Sequence, residues 1–319
     1  MINLSSYFPI TDPTLIFFVV LVIILTAPIV MSKLRIPHII GMVLAGIAIG
    51  QYGFNILERD NSFELFGRVG LYYIMFLAGL EMEMEGVKKH TRHFVIFGLL
   101  TCFVPLFLTY VMAMTILGYS SAASFLLGCI MASNTLISYP IIGRYGLQRH
   151  QSVTLSVGSS MISLFMALVM LAALSGSFSK ESSWRFWPLF ILKFALYCLA
   201  SLVFIPKLTR YFLRRYSDAV MQYIFVLVIM FLSAALTSAI GLEGIFGAFF
   251  SGLILNRYIP RVSPLMNRIE FIGNALFIPY FLIGVGMLIN VRTIFTGFNM
   301  LWIVFLIVFF GTFGKALAS

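Results

Sequence analysis

The chain has 319 residues, of which 61% are hydrophobic and 10% are charged, with a formal net charge of +10 and a mean hydropathy of +1.03. A soluble domain carries roughly 25% charged residues, so this composition excludes a water-soluble globular protein. Apolar runs long enough to cross a bilayer as helices recur along the sequence, whereas the alternating strands of a membrane barrel do not. The composition therefore predicts an all-α, polytopic membrane protein.

Taken in chain order, the apolar runs predict eleven spans within a single transmembrane domain, residues 1–319. The first run follows Asp12-Pro13, a capping residue and a proline of the kind that begins helices. The connecting loops are short, so no soluble appendage is expected. The predicted spans are 13–32, 36–53, 63–80, 94–117, 121–142, 151–174, 184–206, 218–239, 242–257, 269–289 and 297–319.

Lysine and arginine are distributed unevenly between the two sets of loops. The richer set follows the odd-numbered spans and holds Lys33, Arg35, Lys88, Lys89, Arg92, Arg144, Arg149, Lys207, Arg210, Arg214, Arg215, Arg257, Arg261 and Arg268. The other side holds only Arg59, Arg68, Lys180, Arg185 and Arg292. The positive-inside rule puts the richer side in the cytoplasm and the amino terminus outside. The excess of basic over acidic residues then reflects membrane topology and contact with membrane lipid, not nucleic-acid binding.

Two pairs of segments repeat at an offset of about 205 residues. IIGMVLAGIAIG (39–50) resembles IFGAFFSGLILN (245–256), and LYYIMFLAGLEM (71–82) resembles LFIPYFLIGVGM (276–287). The offset covers seven spans, an odd number, so the copies would cross the membrane in opposite directions. Inverted repeats are typical of secondary transporters, although small-residue spacing also arises by chance where helices approach closely.

The fifth span carries polar residues and a proline in ASNTLISYPII (132–142). Pro140 removes a helical hydrogen bond, which predicts a discontinuous helix near 132–142. Asn134 and Thr135 in this stretch line the candidate ion site or, alternatively, form hydrogen bonds between helices. The repeat partner of this span would fall near residue 340, so about eleven of thirteen spans are expected here, with the sequence truncated at its carboxyl end.

The sixth span, VGSSMISLFMALVML (157–171), bears Ser159, Ser160 and Ser163 but no charge. Hydroxyls at these positions predict a helix that lines a polar interface. The eleven acids of the chain all lie near span ends or in loops, so none is an obvious mid-membrane carboxylate.

Several segments, in this order and spacing, resemble the monovalent cation:proton antiporter superfamily, in its bacterial sodium/proton and potassium/proton exchanger branch. The resemblance implies two crossing broken helices in a mobile core, elevator-like movement, a homodimer and a bacterial inner-membrane location. The matching segments are IPHIIGMVLAGIAIG, MFLAGLEM, ASNTLISYPIIGRYGL, GLEGIFGAFFSGLIL, SPLMNRIEFIGNALFIPYFLIGVGML and GKALA.

The family implies an aspartate, next to another polar residue, that binds either a cation or protons. This chain has Leu164 at the aspartate position and Ser163 at the polar one. Lys315 matches a family lysine that pairs with the aspartate or exchanges protons; the alternative is that it snorkels to the cytoplasmic face. Lys193, in the seventh span, is expected to snorkel outward.

The sequence therefore predicts a sodium or potassium/proton antiporter with a degenerate core site. The alternatives are a transport-inactive membrane sensor or assembly component on the same scaffold, and an uncoupled ion or anion transporter that uses Ser163, Asn134 and Lys315. No residue pattern suggests an enzyme, a cofactor or a metal centre, and the three cysteines are interpreted as packing residues.

Overall fold

The computed structural model describes residues 9–81, 91–133, 151–178, 186–295 and 298–318. Within these ranges the secondary structure is helical apart from an isolated bridge between Ile10 and Leu57. The helices are α1 (Pro13–Lys33), α2 (His38–Ile49), α3 (Asn61–Glu81), α4 (Thr91–Thr115), α5 (Ser121–Ala132), α6 (Gln151–Phe178), α7 (Phe186–Arg215), α8 (Ala219–Ile240), α9 (Gly244–Leu255), α10 (Pro264–Ile272), a π-helical turn (Gly273–Phe277), α11 (Ile278–Leu288), α12 (Val291–Phe295) and α13 (Phe298–Ala318).

Among the described residues, seven helical segments are long and apolar enough to cross a membrane, which makes the chain a multi-pass membrane protein. Four shorter apolar helical segments complete the set, and each of the eleven overlaps one predicted span. The seven are Pro13–Lys33, Phe63–Glu81, Arg92–Thr115, Ile191–Arg215, Ala219–Ile240, Pro264–Leu288 and Met300–Ala318. The four are His38–Ile49, Ser121–Ala132, Ile162–Leu171 and Gly244–Leu255.

Two helices extend beyond their predicted spans for identifiable reasons. The tenth span begins at Pro264 instead of residue 269, because Ser263 caps the helix by accepting a hydrogen bond from the Met266 amide at 3.1 Å. The seventh continues nine residues past Pro206 to Arg215. Four of those nine residues are basic, so hydropathy alone ended the predicted span before the helix ends.

The structure divides into two compact units. The first consists of the chain up to Leu77 together with Pro260–Met300. Its core is apolar and aromatic, with Val20, Met42, Phe63, Tyr280 and Ile283 buried in one cluster. The rings of Phe63 and Tyr280 lie 5.0 Å apart between centroids, so aromatic packing links α3 to α11.

The second unit consists of Ala78–Ile259 and Leu301–Ser319. Here α4, α5 and α6 pack against one another, and α8 packs against α7 and α9. Its buried surface includes hydroxyl groups as well as apolar side chains. Tyr197 on α7, for example, shares a 2.5 Å hydrogen bond with Ser233 on α8.

One of the close glycine contacts in each unit joins a helix of one repeat copy to a helix of the other. In the first unit, a Cβ on Gly46 of α2 would collide with the Ile283 carbonyl of α11. In the second, a Cβ on Gly79 of α3 would collide with the Phe249 carbonyl of α9. The repeat pairs α2 with α9 and α3 with α11, so the first helix of each copy contacts the second helix of the other. This reciprocal pairing is what a two-fold related repeat produces.

Candidate functional site

The site begins where α5 stops. The helix ends at Ala132, and Ser133 takes an extended conformation with φ −63° and ψ 122°. Twelve residues of α-helix are about 18 Å long, well short of about 30 Å of hydrocarbon. The helix therefore ends where the predicted discontinuity begins, and its last carbonyl groups need partners from outside the helix. Asn134, Thr135 and the rest of the predicted discontinuous segment lie outside the described residues.

Ser163 supplies one of those partners. Its side chain is completely buried, and its hydroxyl donates a hydrogen bond of 2.9 Å to the carbonyl oxygen of Ala132. The bond joins α6 to the carboxyl end of α5 across 31 residues of sequence. Ser163 therefore faces protein at the interrupted helix and not lipid.

The two neighbouring serines behave differently. Ser159 and Ser160 both donate to the carbonyl of Ser156, at 2.9 Å and 2.7 Å, within their own helix. Such bonds satisfy the hydroxyl locally and leave no donor for another helix. Of the three serines predicted to line the site, only Ser163 has a hydrogen bond to the end of α5.

Lys315 supplies the second partner. The side chain is half-buried, and its ammonium nitrogen lies 3.5 Å from the carbonyl oxygen of Ser133 in a long hydrogen bond. In the part of the chain that the structure describes, no salt bridge joins Lys315 to a carboxylate. The positive charge is instead placed at the carboxyl end of a helix, where the helix dipole stabilises cations.

Small residues bring Lys315 to this position. A Cβ on Gly314 would lie 2.8 Å from the Cα of Pro105 on α4, and one on Gly311 would lie 2.8 Å from the sulfur of Met131 on α5. Because both positions are glycine, α13 approaches α4 and α5 closely enough for the lysine to reach the carbonyl of Ser133.

Cys102 is a site neighbour that sequence reasoning missed. Its thiol lies close to the side chain of Ser163, whose hydroxyl donates to Ala132. Cys102 is fully buried in a cluster with Cys129 and Ala132. The spacing of cysteines gives no signal for this contact, which arises only when α4, α5 and α6 pack together.

Leu164 occupies the position at which the resemblance implies an aspartate. The side chain is buried, directly after Ser163 on α6. Lys193, by contrast, is exposed on α7. Within the described ranges no group of three or more His, Cys, Asp or Glu side chains is placed to hold a metal ion. The site thus consists of helix-end carbonyls, one hydroxyl, one thiol and one ammonium group.

The backbone oxygens of this arrangement are of a kind that suits both metal cations and ammonium groups. Carbonyl oxygens at the end of an interrupted helix coordinate monovalent cations in membrane proteins, and the same oxygens accept hydrogen bonds from ammonium. The two carbonyls of Ala132 and Ser133 are held by donors from α6 and α13 in this structure.

The chain is similar in sequence to proteins named as sodium/proton antiporters. The chain is 35% identical over 286 residues to the Na(+)/H(+) antiporter NhaS5 of Synechocystis sp., covering 88% of this chain and 40% of that one. It is 30% identical over 291 residues to the probable Na(+)/H(+) antiporter 3 of Methanocaldococcus jannaschii, covering 89% of this chain and 74% of that one. The chain thus spans well under half the length of the first relative and about three quarters of the second.

The fold also matches a solved structure. The sodium proton antiporter MjNhaP1 from Methanocaldococcus jannaschii, determined at pH 8, superposes with a TM-score of 0.63 over 94% of this chain and 75% of that one, at 16% sequence identity. The family model described as "Sodium/hydrogen exchanger, transmembrane" matches residues 20–319. The superfamily resemblance is thereby confirmed, and the chain belongs to the sodium/hydrogen exchanger family.

Proposed function

We propose that this protein exchanges a monovalent cation, sodium or potassium, for protons across a bacterial inner membrane, with its amino terminus outside. The exchange site is the carboxyl end of α5, and Lys315 serves as the proton-carrying competitor of the transported cation. The core aspartate of the family is absent, so the site is degenerate by the family pattern. The observation that carries the proposal is the contact between the Lys315 ammonium and the carbonyl of Ser133.

Coupling follows from competition for the same oxygens. When protonated, Lys315 donates to the carbonyl of Ser133 and its charge is stabilised by the helix end. A sodium or potassium ion needs the oxygens that this ammonium occupies, and two positive charges so close together repel. Binding of the metal cation therefore favours loss of the lysine proton, and protonation favours loss of the metal cation.

Ser163 has a supporting role in this scheme. Its hydroxyl donates to the Ala132 carbonyl when no metal cation is bound, and its oxygen can turn toward a cation that replaces this bond. A hydroxyl cannot release a proton near neutral pH, so Ser163 is a ligand and not the proton carrier.

The scaffold required for alternating access is supported by the reciprocal glycine contacts. Gly46 and Gly79 lie on the first and second helices of one repeat copy, and each contacts a helix of the other copy. We propose that the repeats are inverted and that the family's dimer applies here.

The direct test is proton flux in vesicles containing the full-length protein, reported by a pH-sensitive dye when sodium or potassium is added. Wild-type protein is expected to release protons in response to either or both cations. The apparent KM for the cation should rise as pH falls, because protons and the metal cation compete. Lys315→Gln should abolish the response, because glutamine carries no titratable proton.

Lys193→Gln is the matched control, since it removes a lysine from an exposed position on α7. An unchanged response for Lys193→Gln together with loss for Lys315→Gln supports the proposal. A wild-type response that survives Lys315→Gln with its pH dependence intact would remove Lys315 from the mechanism.

Leu164 favours a second candidate, a transport-inactive membrane component on the same scaffold. A buried leucine in place of the family's carboxylate removes the group that normally holds both cation and proton. Folded wild-type protein that gives no flux with sodium or potassium would support this candidate. Flux without any dependence on pH would instead support uncoupled ion transport.

A further inference from the structure

One face of α7 changes from apolar to cationic along its length. Leu192, Leu196, Leu199 and Val203 follow one another at helical spacing of three or four residues and are 65%, 64%, 64% and 39% exposed. The distance from Leu192 to Val203 is about 16 Å, roughly half the hydrocarbon thickness of a bilayer. This exposed face therefore matches the depth of one lipid leaflet.

The same face continues into a row of basic side chains. Lys207, Arg210 and Arg214 continue the three-and-four spacing, and all three are exposed. Arg215 adds a further charge in the last helical turn. The apolar stripe and the cations together form a surface with the chemical order of a phospholipid, with chains on one side and headgroup on the other.

A second helix contributes to the cationic end. The guanidinium carbon of Arg210 lies 5.8 Å from the centroid of the Tyr258 ring, a cation–π contact just after α9. Tyr258 is preceded by Arg257, which is exposed. The ring fixes the position of Arg210 without neutralising it, and so keeps its donors available to an anion.

The nearest carboxylate in sequence does not compensate these charges. Asp218 caps α8 by accepting a hydrogen bond of 2.9 Å from the Met221 amide. Among the residues that the structure describes, the ion pair present is Arg68–Glu64, at another place in the chain. Within the described residues, no carboxylate forms a salt bridge with the cationic end of α7, so these charges remain available to an anion.

The end of α7 is held rigidly enough to form a defined site. The rings of Phe212 and Phe225 stack with centroids 4.3 Å apart, which ties α7 to α8. Gln222 donates a hydrogen bond of 2.8 Å to the carbonyl of Tyr216 in the connection between the two helices. The guanidinium groups are thus presented from an anchored helix end.

We propose that Lys207, Arg210, Arg214 and Arg257 form a binding site for the phosphate headgroup of an anionic phospholipid, whose acyl chain lies along the Leu192–Val203 face. A soluble acidic partner would have no use for the exposed leucines, whereas a phospholipid satisfies both parts. Arg210 and Arg214 bind the phosphate, and Tyr258 positions Arg210. The site is independent of the exchange mechanism proposed above.

The test uses full-length protein in detergent and measures lipid binding by native mass spectrometry and by the thermal unfolding midpoint. Phosphatidylglycerol is compared with phosphatidylcholine of the same acyl chains, and inorganic phosphate is tested separately. Wild-type protein should bind phosphatidylglycerol preferentially. Arg210→Gln with Arg214→Gln should weaken that binding about 25-fold, since each basic residue near a membrane surface contributes about fivefold.

Tyr258→Leu should weaken binding by a smaller factor, because Arg210 keeps its charge but loses its support. Lys193→Gln is the matched control at the other end of α7 and should leave binding unchanged. Equal weakening by Lys193→Gln would show general charge attraction and overturn the site. So would equal binding of the two lipids, an unchanged double variant, or inorganic phosphate that raises the midpoint as far as phosphatidylglycerol does.

Discussion

The two units bury different kinds of side chain. Every buried serine or threonine among the described residues belongs to the second unit: Thr101, Thr109, Ser124, Ser159, Ser163, Ser201, Thr209, Ser233, Thr237 and Ser251. The buried cluster of the first unit consists of aliphatic and aromatic side chains. Both units bring helices into close contact, but among the described residues only the second buries serine and threonine hydroxyls. The proposed exchange site, with Ser163 and Lys315, also lies in the second unit.

The largest effect expected from this comparison concerns a buried carboxylate. Ile283→Asp places a charge in the dry cluster of the first unit, where it lacks a donor, at a cost on the order of several kcal/mol. Leu164→Asp places the same group beside Ser163, at the helix end that Lys315 also reaches. We expect the first variant to lose its folded peak in size-exclusion chromatography and the second to remain folded.

Leu164→Asp should also change transport. A charged ligand strengthens cation binding by about 1.5 kcal/mol, so the apparent KM should fall about tenfold in the vesicle assay, with pH-dependent exchange created or enhanced. If the Leu164→Asp protein is folded but its flux is unchanged, position 164 does not correspond to the aspartate position of the family. Equal loss of folding in both variants would erase the contrast between the units.

An intermediate effect is expected at the glycine contacts. Gly46→Ala and Gly79→Ala each push a methyl group into a facing backbone carbonyl, so each should lower the free energy of unfolding by about 1–3 kcal/mol. Gly67 on α3 has no atom within 4 Å of an added Cβ, and Gly67→Ala should stabilise the helix by up to about 1 kcal/mol. Denaturation in mixed micelles compares the three.

Similar losses at Gly46 and Gly79 would show that both interfaces between the repeat copies depend on close approach of the backbone. A loss of unfolding free energy at one position with none at the other would show that only one of the two interfaces depends on close approach of the backbone.

The smallest effect separates two neighbouring serines. Ser163→Ala removes a hydrogen bond between helices and should cost about 1 kcal/mol of stability. Ser160→Ala removes a bond within α6 and should change stability by less than about 0.5 kcal/mol. Thermal unfolding in detergent measures both, and equal costs would contradict a special role for the contact with Ala132.

Much of the architecture could be predicted from the sequence, because the hydropathy of a segment indicates whether it lies in lipid or in water. The apolar runs predicted a polytopic α-helical fold, and glycine spacing pointed to the positions where helices approach closely. Hydropathy did not indicate the end of α7, since four of the nine residues from Lys207 to Arg215 are basic yet the segment remains helical. It also missed the start of α10, which depends on a capping hydroxyl and not on apolar content.

The candidate site was less predictable because its acceptors are backbone atoms. The sequence singled out Ser163 and Lys315 but could not say that they reach the carbonyls of Ala132 and Ser133, which depends on where α5 stops. Nor could a run of serines show which hydroxyl donates a hydrogen bond to a group outside its own helix. The contact of Cys102 with Ser163 required three packed helices and had no signature in spacing.

The π-helical turn at Gly273–Phe277 has a consequence for the membrane segment that contains it. A π turn accommodates one residue more than the regular helix, so the stretches before and after it are rotated relative to an unbroken helix by about 100° per residue. Tyr73 donates a hydrogen bond of 2.9 Å to the carbonyl of Ile269 just upstream of the turn, while Ile283 is buried downstream. Deleting a single residue from the turn would straighten the hydrogen-bond ladder yet turn Ile269 away from Tyr73. The additional residue thus rotates the helix after the turn relative to the helix before it, so that the two stretches bury faces that point in different directions.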